Sequence, residues 1–274
     1  MHPYPTFKTK IDGLNLHFAK IGKGKPLIFI HGWTNNWEGW IPIVKYLQKK
    51  FTLYLLDMPG FGHSGDLPHY SISSTADIIC GFIKTLSVKP SIVSLSMGSF
   101  VAADMALRFP KIVHKVILAG PVINDGKHKH IPTAIEIFYR SIQKSSLSKA
   151  ALKRVIETKA VAYFTAKYMN MYRWNREIID LYGMIGKKLV RKEAYVDMGV
   201  SASKYDLKST LTNLSVQTLL ILGDKDIYTS YKYVAKNVIP TNNHLTLKVI
   251  KDAGHVTPWE KPKEVASQIL KFLK

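Results

Sequence analysis

At 274 residues, 46% of them hydrophobic, the chain carries enough apolar material for a sizeable core, which excludes a disordered protein. Its 39 Lys and Arg against 19 Asp and Glu leave a net charge of +20, and only six of the basic residues are Arg. That Lys-rich balance fits a solvated exterior better than a reader of nucleic acid, which leans on bidentate Arg. A lone cysteine, Cys80, excludes a disulfide framework and a multi-cysteine metal site, and no run reaches the roughly 18–20 apolar residues of a membrane span. With no apolar leader in "MHPYPTFKTK", a cytoplasmic protein is expected.

In chain order, "FKTKI" and "LNLHFAKI" alternate in polarity around Asp12-Gly13, a strong hairpin signal. Leu27 to Ile30 is a continuous apolar run suited to a strand buried on both faces, and "FTLYLLD" (51–57) and "PSIVSL" (90–95) repeat the pattern. Helical periods lie between them: Trp37 to Lys49, then Ser71 to Leu86, with Ile72, Ala76, Ile79 and Ile83 on one side. Strands alternating with helices of this length predict a mostly parallel central sheet flanked by helices, an α/β fold. The rhythm resumes with "KVILAG" (115–120), "QTLLILG" (217–223) and "LTLKVI" (245–250), and closes on an amphipathic helix from Pro262 to Leu273.

Residues 121–205 break the rhythm. They hold no β-branched apolar run and several helical periods such as "SKAALKRVIETKAVAYF", so an all-helical insertion is expected. With 16 basic and 7 acidic residues, the insertion is also more basic than the rest of the chain. Its Met169, Met171, Tyr168, Tyr172 and Trp174 suit an apolar ceiling over a site, or ordinary helix core. The predicted division is 1–120 and 206–274 for the core and 121–205 for the insertion.

One serine stands where strand runs directly into helix. In "IVSLSMGSFVAADMALRF" (92–109), Ser96 ends a buried strand, and Ser94 and Gly98 flank it two residues away on either side. A turn that sharp forces unusual backbone angles and small neighbours, as in the G-x-S-x-G elbow that lifts a nucleophilic hydroxyl off a sheet. Serine needs a base to take its proton and an acid to orient that base. Of ten histidines, His255 in "DAGHVTPWEKP" follows a strand directly, at the sheet edge where ligands gather. His2, His128 and His130 read as loop residues, His17 and His114 as strand residues, and His69 and His244 as turn residues. "LLILGDKDIYTS" offers two acids at the same edge, Asp224 and Asp226. Asp252 reads as a turn residue and Asp104 as structural. His31 and His63 have no carboxylate in ligand spacing, so no metal site is expected.

"HGW" at 31–33, "DMPGFGHS" at 57–64, "SLSMGS", "GDKD" and "GHVTPWEKP" stand in one order along the chain. In that order the sequence resembles α/β-hydrolases with an inserted helical cap, over nearly the whole length outside 121–205. The resemblance implies an α/β-hydrolase fold, a Ser96–Asp226–His255 triad with Asp226 preferred to Asp224, and no metal or organic cofactor. It also implies an oxyanion hole from the N–H groups of Met97 and Trp33, with His31 and His63 in loops that support it. A serine elbow argues against the dehalogenases and epoxide hydrolases of the family, whose nucleophile is aspartate. The expected activity is a serine hydrolase for carboxylic esters of small to medium acyl chains, a carboxylesterase acting through an acyl-enzyme on Ser96. Lactonase, thioesterase and carbon–carbon bond hydrolase chemistry stay open, as does a non-catalytic basic binding module. "HGW" and "DMPGFGHSG", with the basic cap, also resemble pimeloyl-carrier-protein methyl ester esterases, which would make an acidic carrier protein a partner. Otherwise the expected partner is a small-molecule ester, with no specific nucleic acid.

Overall fold

The computed structural model describes residues 4–124 and 130–274. His2 and His128 lie outside the described residues, as do the side chains of His130 and Met169. The eight strands are β1 (Thr6–Ile11), β2 (Leu14–Ile21), β3 (Lys25–Ile30), β4 (Phe51–Leu56), β5 (Ser91–Leu95), β6 (Val116–Ala119), β7 (Thr218–Gly223) and β8 (Leu245–Ile250). They form one sheet in the order β1-β2-β4-β3-β5-β6-β7-β8. The first hairpin turns at Asp12 and Gly13, both at positive φ (46° and 85°), which matches the right-handed twist of its strands. β2 also meets β4 antiparallel, and the pairs from β4 through β3 to β8 are parallel.

Both faces of the parallel sheet are covered, and the two-residue period of a strand sends alternate side chains to each. Ile28, Ile30, Ile92 and Leu118 face α2 (Ile72–Lys84) and α3 (Met97–Arg108), placed with the core that holds Ile79, Ile83 and Val101. Leu27, Phe29, Val93 and Ile117 face the opposite core, formed with Val44 and Leu47 of α1 (Ile41–Leu47) and with Val265 and Ile269 of a helix at Pro262–Phe272. Ser71 starts α2 as a cap: its hydroxyl accepts from Ser74 N at 3.0 Å. The predicted helix over Trp37 to Lys49 is instead a 3-10 turn (Trp37–Trp40) followed by the helix from Ile41. Pro42 is the reason, because a ring without an N–H is accommodated in the first helical turn and not inside a longer helix.

Between β6 and β7 the described residues form no strand. Helices at His130–Gln143, Ser146–Ile156, Lys159–Thr165 and Lys192–Lys204 build most of this part. Two wide π-helical turns interrupt it, Ala166–Asn170 and Ile179–Gly183. A short helix at Leu207–Thr212 then packs on α3 and returns the chain to β7. Strand order reverses around β3 and β5, so the crevice for a ligand lies beyond their carboxyl ends.

Candidate active site

Every residue of β5 is buried up to Leu95, and the chain then bends at Ser96 with φ 50° and ψ −117°. A non-glycine residue in that region stores roughly 1–3 kcal/mol of strain, which the neighbours must hold in place. They do so by backbone contacts. Ser96 N donates to Ala119 O at 2.9 Å, and Ser99 N donates back to Ser96 O at 2.8 Å. A methyl group on Gly98 would sit 2.6 Å from the carbonyl oxygens of both Ile30 and His31, so only glycine lets α3 come this close to β3. Ser94, where the pattern has a glycine, is fully buried and donates to Ile117 O at 3.2 Å.

The imidazole and the acid arrive from the ends of β8 and β7. Ser96 Oγ lies 2.8 Å from His255 Nε2, and His255 Nδ1 lies 3.0 Å from Asp226 Oδ2. The structure thus brings Ser96, His255 and Asp226 into one line, with the Asp226 carboxylate fully shielded from solvent. Asp226 Oδ1 is held by Tyr228 N at 2.8 Å. Asp224 turns elsewhere, accepting from Ala253 N at 3.4 Å and pairing with Lys225. Asp252 sits at positive φ in a turn facing Arg173, and Asp104 pairs with Arg108 at 2.6 Å.

The loop after β3 runs beside the serine: a methyl on Gly32 would be 3.4 Å from Ser96 Cβ. His31 supports that loop. Its Nδ1 faces Gly32 O at 2.7 Å, and its Nε2 accepts from Met58 N at 3.1 Å. Complete burial lowers its pKa, with smaller opposing effects from Asp57 and Gly32 O, so the ring is held neutral. Trp33 is fixed through its indole, which donates to Tyr195 O at 3.2 Å and stacks on the Tyr195 ring at 4.8 Å. Trp37 and Trp40 are buried packing residues. His63 reaches the same region through its backbone N–H, which donates to Asp57 Oδ2 at 2.9 Å, and through its ring, which packs edge-on against His17 with centroids 5.2 Å apart.

Sequence reasoning missed three participants. Asp57, fully buried, accepts from Trp37 N at 2.8 Å and faces His17 Nδ1 at 2.7 Å, so it ties three chain segments together under the site. Tyr228 lays its ring against His255, centroids 4.6 Å apart. Burial, then the Asp226 charge, push its phenol up to about 12, which keeps the hydroxyl a donor to Asn170 Oδ1 (3.4 Å). Asn170, from the π-helical turn, accepts at its carbonyl from both His255 N (2.8 Å) and Val256 N (3.2 Å). A Tyr in a loop or an Asn at the end of a helical turn carries no sequence signature for such a role. Of the Met, Tyr and Trp set, Met171 is buried, whereas Tyr168 (60% exposed) and Tyr172 (55%) are not core. They border a recess of about 210 Å³ that opens beside His255 between Lys167 and Lys225.

Among the described residues no three His, Cys, Asp or Glu side chains cluster as metal ligands, and no helix is long and apolar enough to cross a membrane. Residues 25–262 match the sequence model of the alpha/beta hydrolase fold. The chain belongs to that family. This alpha/beta hydrolase is 26% identical over 216 residues to a pimeloyl-[acyl-carrier protein] methyl ester esterase of Vibrio campbellii, covering 77% of this chain and 80% of that protein. A thermophilic esterase from Thermogutta terrifontis has a similar fold (TM-score 0.77, 22% identity, 98% of each chain covered). So does a bromoperoxidase from Bacillus anthracis (TM-score 0.79, 21% identity, 98% of this chain and 99% of that one). These likenesses are of fold alone, and their different chemistries mean that the site, not the fold, must choose the reaction.

Proposed function

We propose that this alpha/beta hydrolase is a serine carboxylesterase for esters of small to medium acyl chains. The observation that carries the reading is the hydrogen-bonded line Ser96–His255–Asp226, at 2.8 and 3.0 Å, built on a strained elbow. His255 Nε2 takes the Ser96 proton as Oγ attacks the ester carbonyl, while Asp226 holds the imidazole orientation and stabilises its cationic form. The N–H groups of Met97, first in α3, and Trp33 take the oxyanion, aided by the positive end of the helix. The tetrahedral adduct collapses, His255 protonates the departing alkoxide, and an alcohol leaves the acyl-Ser96 ester. Water then gives its proton to His255, attacks the acyl carbon and releases a carboxylic acid, returning the proton to Ser96. The helices of 121–205 serve as the cap over this site.

A carrier-bound ester is the second reading. It is favoured by the Vibrio relative's name and by the basic excess of the insertion, whose charge would steer an acidic carrier. A fluorophosphonate probe followed by a p-nitrophenyl ester chain-length series, run beside lactones, thioesters and a dienone, tests the proposal. Labelling at Ser96 with turnover of the shorter esters is the expected result. No labelling would leave a basic binding module, and turnover of the dienone alone would move the reading to carbon–carbon hydrolysis. A carrier ester cleaved no faster than the free ester, at any salt concentration, removes the second reading.

A further inference from the structure

The helical insertion and the histidine loop are strapped to each other at one side chain. Glu260, on the short helix Thr257–Glu260, reaches back so that its Oε1 accepts from Gly254 N at 2.9 Å. Its Oε2 accepts from Arg173 N at 2.7 Å, on the segment just beyond the π-helical turn. Burial pushes the carboxyl above its usual range, and the N–H groups of Arg173, Gly254 and Tyr172 draw it back. The charge that acts on the strap is the Asp226 carboxylate, which adds to the upward push. The Arg173 side chain turns to the other end of the loop, its Nε donating to Asp252 O at 3.3 Å.

What the strap holds is the peptide that carries His255. Gly254 precedes His255, and the amides of His255 and Val256 both end on Asn170 O, three residues before Arg173. The segments are in close contact: a methyl on Gly254 would lie 2.6 Å from Tyr172 N and 3.0 Å from Asn170 O. The loop is therefore fixed by the Asn170 carbonyl, by the Glu260 carboxylate and by the Arg173 guanidinium on Asp252 O. Of these, the carboxylate is the tie that reaches the peptide carrying His255 directly, and a substitution can remove it.

From this arrangement we infer that Glu260 is a positioning residue for the proposed chemistry: by tying Gly254 to Arg173 it sets His255 Nε2 within reach of Ser96 Oγ. The inference rests on the serine-hydrolase reading. Glu260 touches no reacting atom and acts through the imidazole alone. Loss of the tie lets the loop settle away from the insertion, and a misplacement near 1 Å can cost on the order of 10²-fold in a reaction that depends on alignment.

The test compares Glu260→Ala and Glu260→Gln by steady-state kinetics on one p-nitrophenyl ester and by the rate of fluorophosphonate labelling at Ser96. Glu260→Ala is expected to lower kcat and the labelling rate by about 10- to 100-fold with KM within about twofold. Glu260→Gln keeps one accepting oxygen for the N–H groups of Arg173, Gly254 and Tyr172 and is expected to fall between alanine and the wild type. It also serves as the decisive variant if the alanine protein does not fold. Wild-type kcat and labelling rate in Glu260→Gln and in any folded Glu260→Ala, with only a lowered Tm, would overturn the inference and make Glu260 a purely structural tie. A wild-type protein that the probe does not label removes the serine-hydrolase reading first. A labelled wild type beside unaffected variants removes this inference alone.

Discussion

Replacing Asp57 by asparagine changes almost no volume, so its cost isolates hydrogen bonding and charge. The carboxylate receives three donors on two oxygens: Trp37 N on Oδ1 at 2.8 Å, with His63 N at 2.9 Å and His17 Nδ1 at 2.7 Å on Oδ2. An amide has one accepting oxygen. If that oxygen takes the Oδ2 position, the new NH₂ faces Trp37 N; if it takes Oδ1, the NH₂ faces His63 N. Either way one backbone N–H at a fully buried group loses its acceptor. An unmade bond to a buried donor costs about 1–3 kcal/mol, and loss of charge assistance weakens the bonds that remain. The expected loss is therefore about 2–4 kcal/mol, read as a lower urea midpoint at unchanged m-value. In a chain of this size each kcal/mol lowers Tm by about 2–4 °C. Asp57→Asn with a loss below about 1 kcal/mol would refute the claim that this carboxylate organises the loops beneath Ser96.

Ser96→Ala is expected to reduce kcat by about 10⁶-fold and Asp226→Asn by about 10⁴-fold, measured against the same ester, whereas Asp224→Asn should stay within a few-fold of wild type. Equal losses for the two aspartate variants would reopen the choice of acid. Burial holds the pKa of His31 below 6.5, so the unfolded chain binds more protons at that position than the folded one. Its contribution to stability is complete above about pH 6.5 and is lost as pH falls through the lowered value, so stability should rise with pH across that window. In His31→Gln, whose amide oxygen can still accept from Met58 N, that part of the slope should vanish; an unchanged slope in urea titrations at stepped pH removes the argument. The Cys80 thiol, pushed up to about 12 chiefly by burial, should resist thiol reagents in the native protein and react fully in urea. Fast native labelling would show that α2 opens.

Most of the sheet could be read from the sequence because strands buried on both faces leave continuous apolar runs rich in Leu, Ile and Val, such as Leu27–Ile30 and Leu219–Leu222. Ser96 was readable for a different reason: the elbow demands small residues at fixed offsets, and Gly98 is the position where a Cβ would strike two carbonyls. Of the two aspartates after β7, spacing alone could not choose, and the resemblance to a family was needed. Geometry explains the choice. Asp224 is taken up by Ala253 N and Lys225, while Tyr228 N holds Asp226 toward the imidazole. The break before Ile41 was also written in the chain, at Pro42, but the apolar period continued across it and masked the signal.

The insertion was legible as helices and, through the resemblance, as a cap, but the residues that tie it to the site were not, because those ties run largely through backbone atoms. Asn170 O holds the amides of His255 and Val256, and Tyr195 O holds the indole of Trp33. A carbonyl is present at every position, so its use as an anchor leaves no trace in residue type. What the sequence does carry is the geometry around the anchor. The π-helical turn at Ala166–Asn170 widens the helix and ends it where Asn170 O meets the histidine loop. Gly254 leaves room for that contact, and Glu260 closes it. The insertion thus grips one loop on each side of Ser96, Trp33 on one and His255 on the other. An insertion held this way cannot swing clear of the sheet as a rigid body without drawing on both loops. Substrate entry is therefore expected to require only local movement, near the recess bordered by Tyr168, Tyr172 and Lys225, while the Asn170 contacts stay closed. Hydrogen exchange can decide this: the His255 and Val256 amides should remain as protected as the sheet during turnover, and exchange of these amides at the rate of the exposed helices would show that the whole insertion lifts.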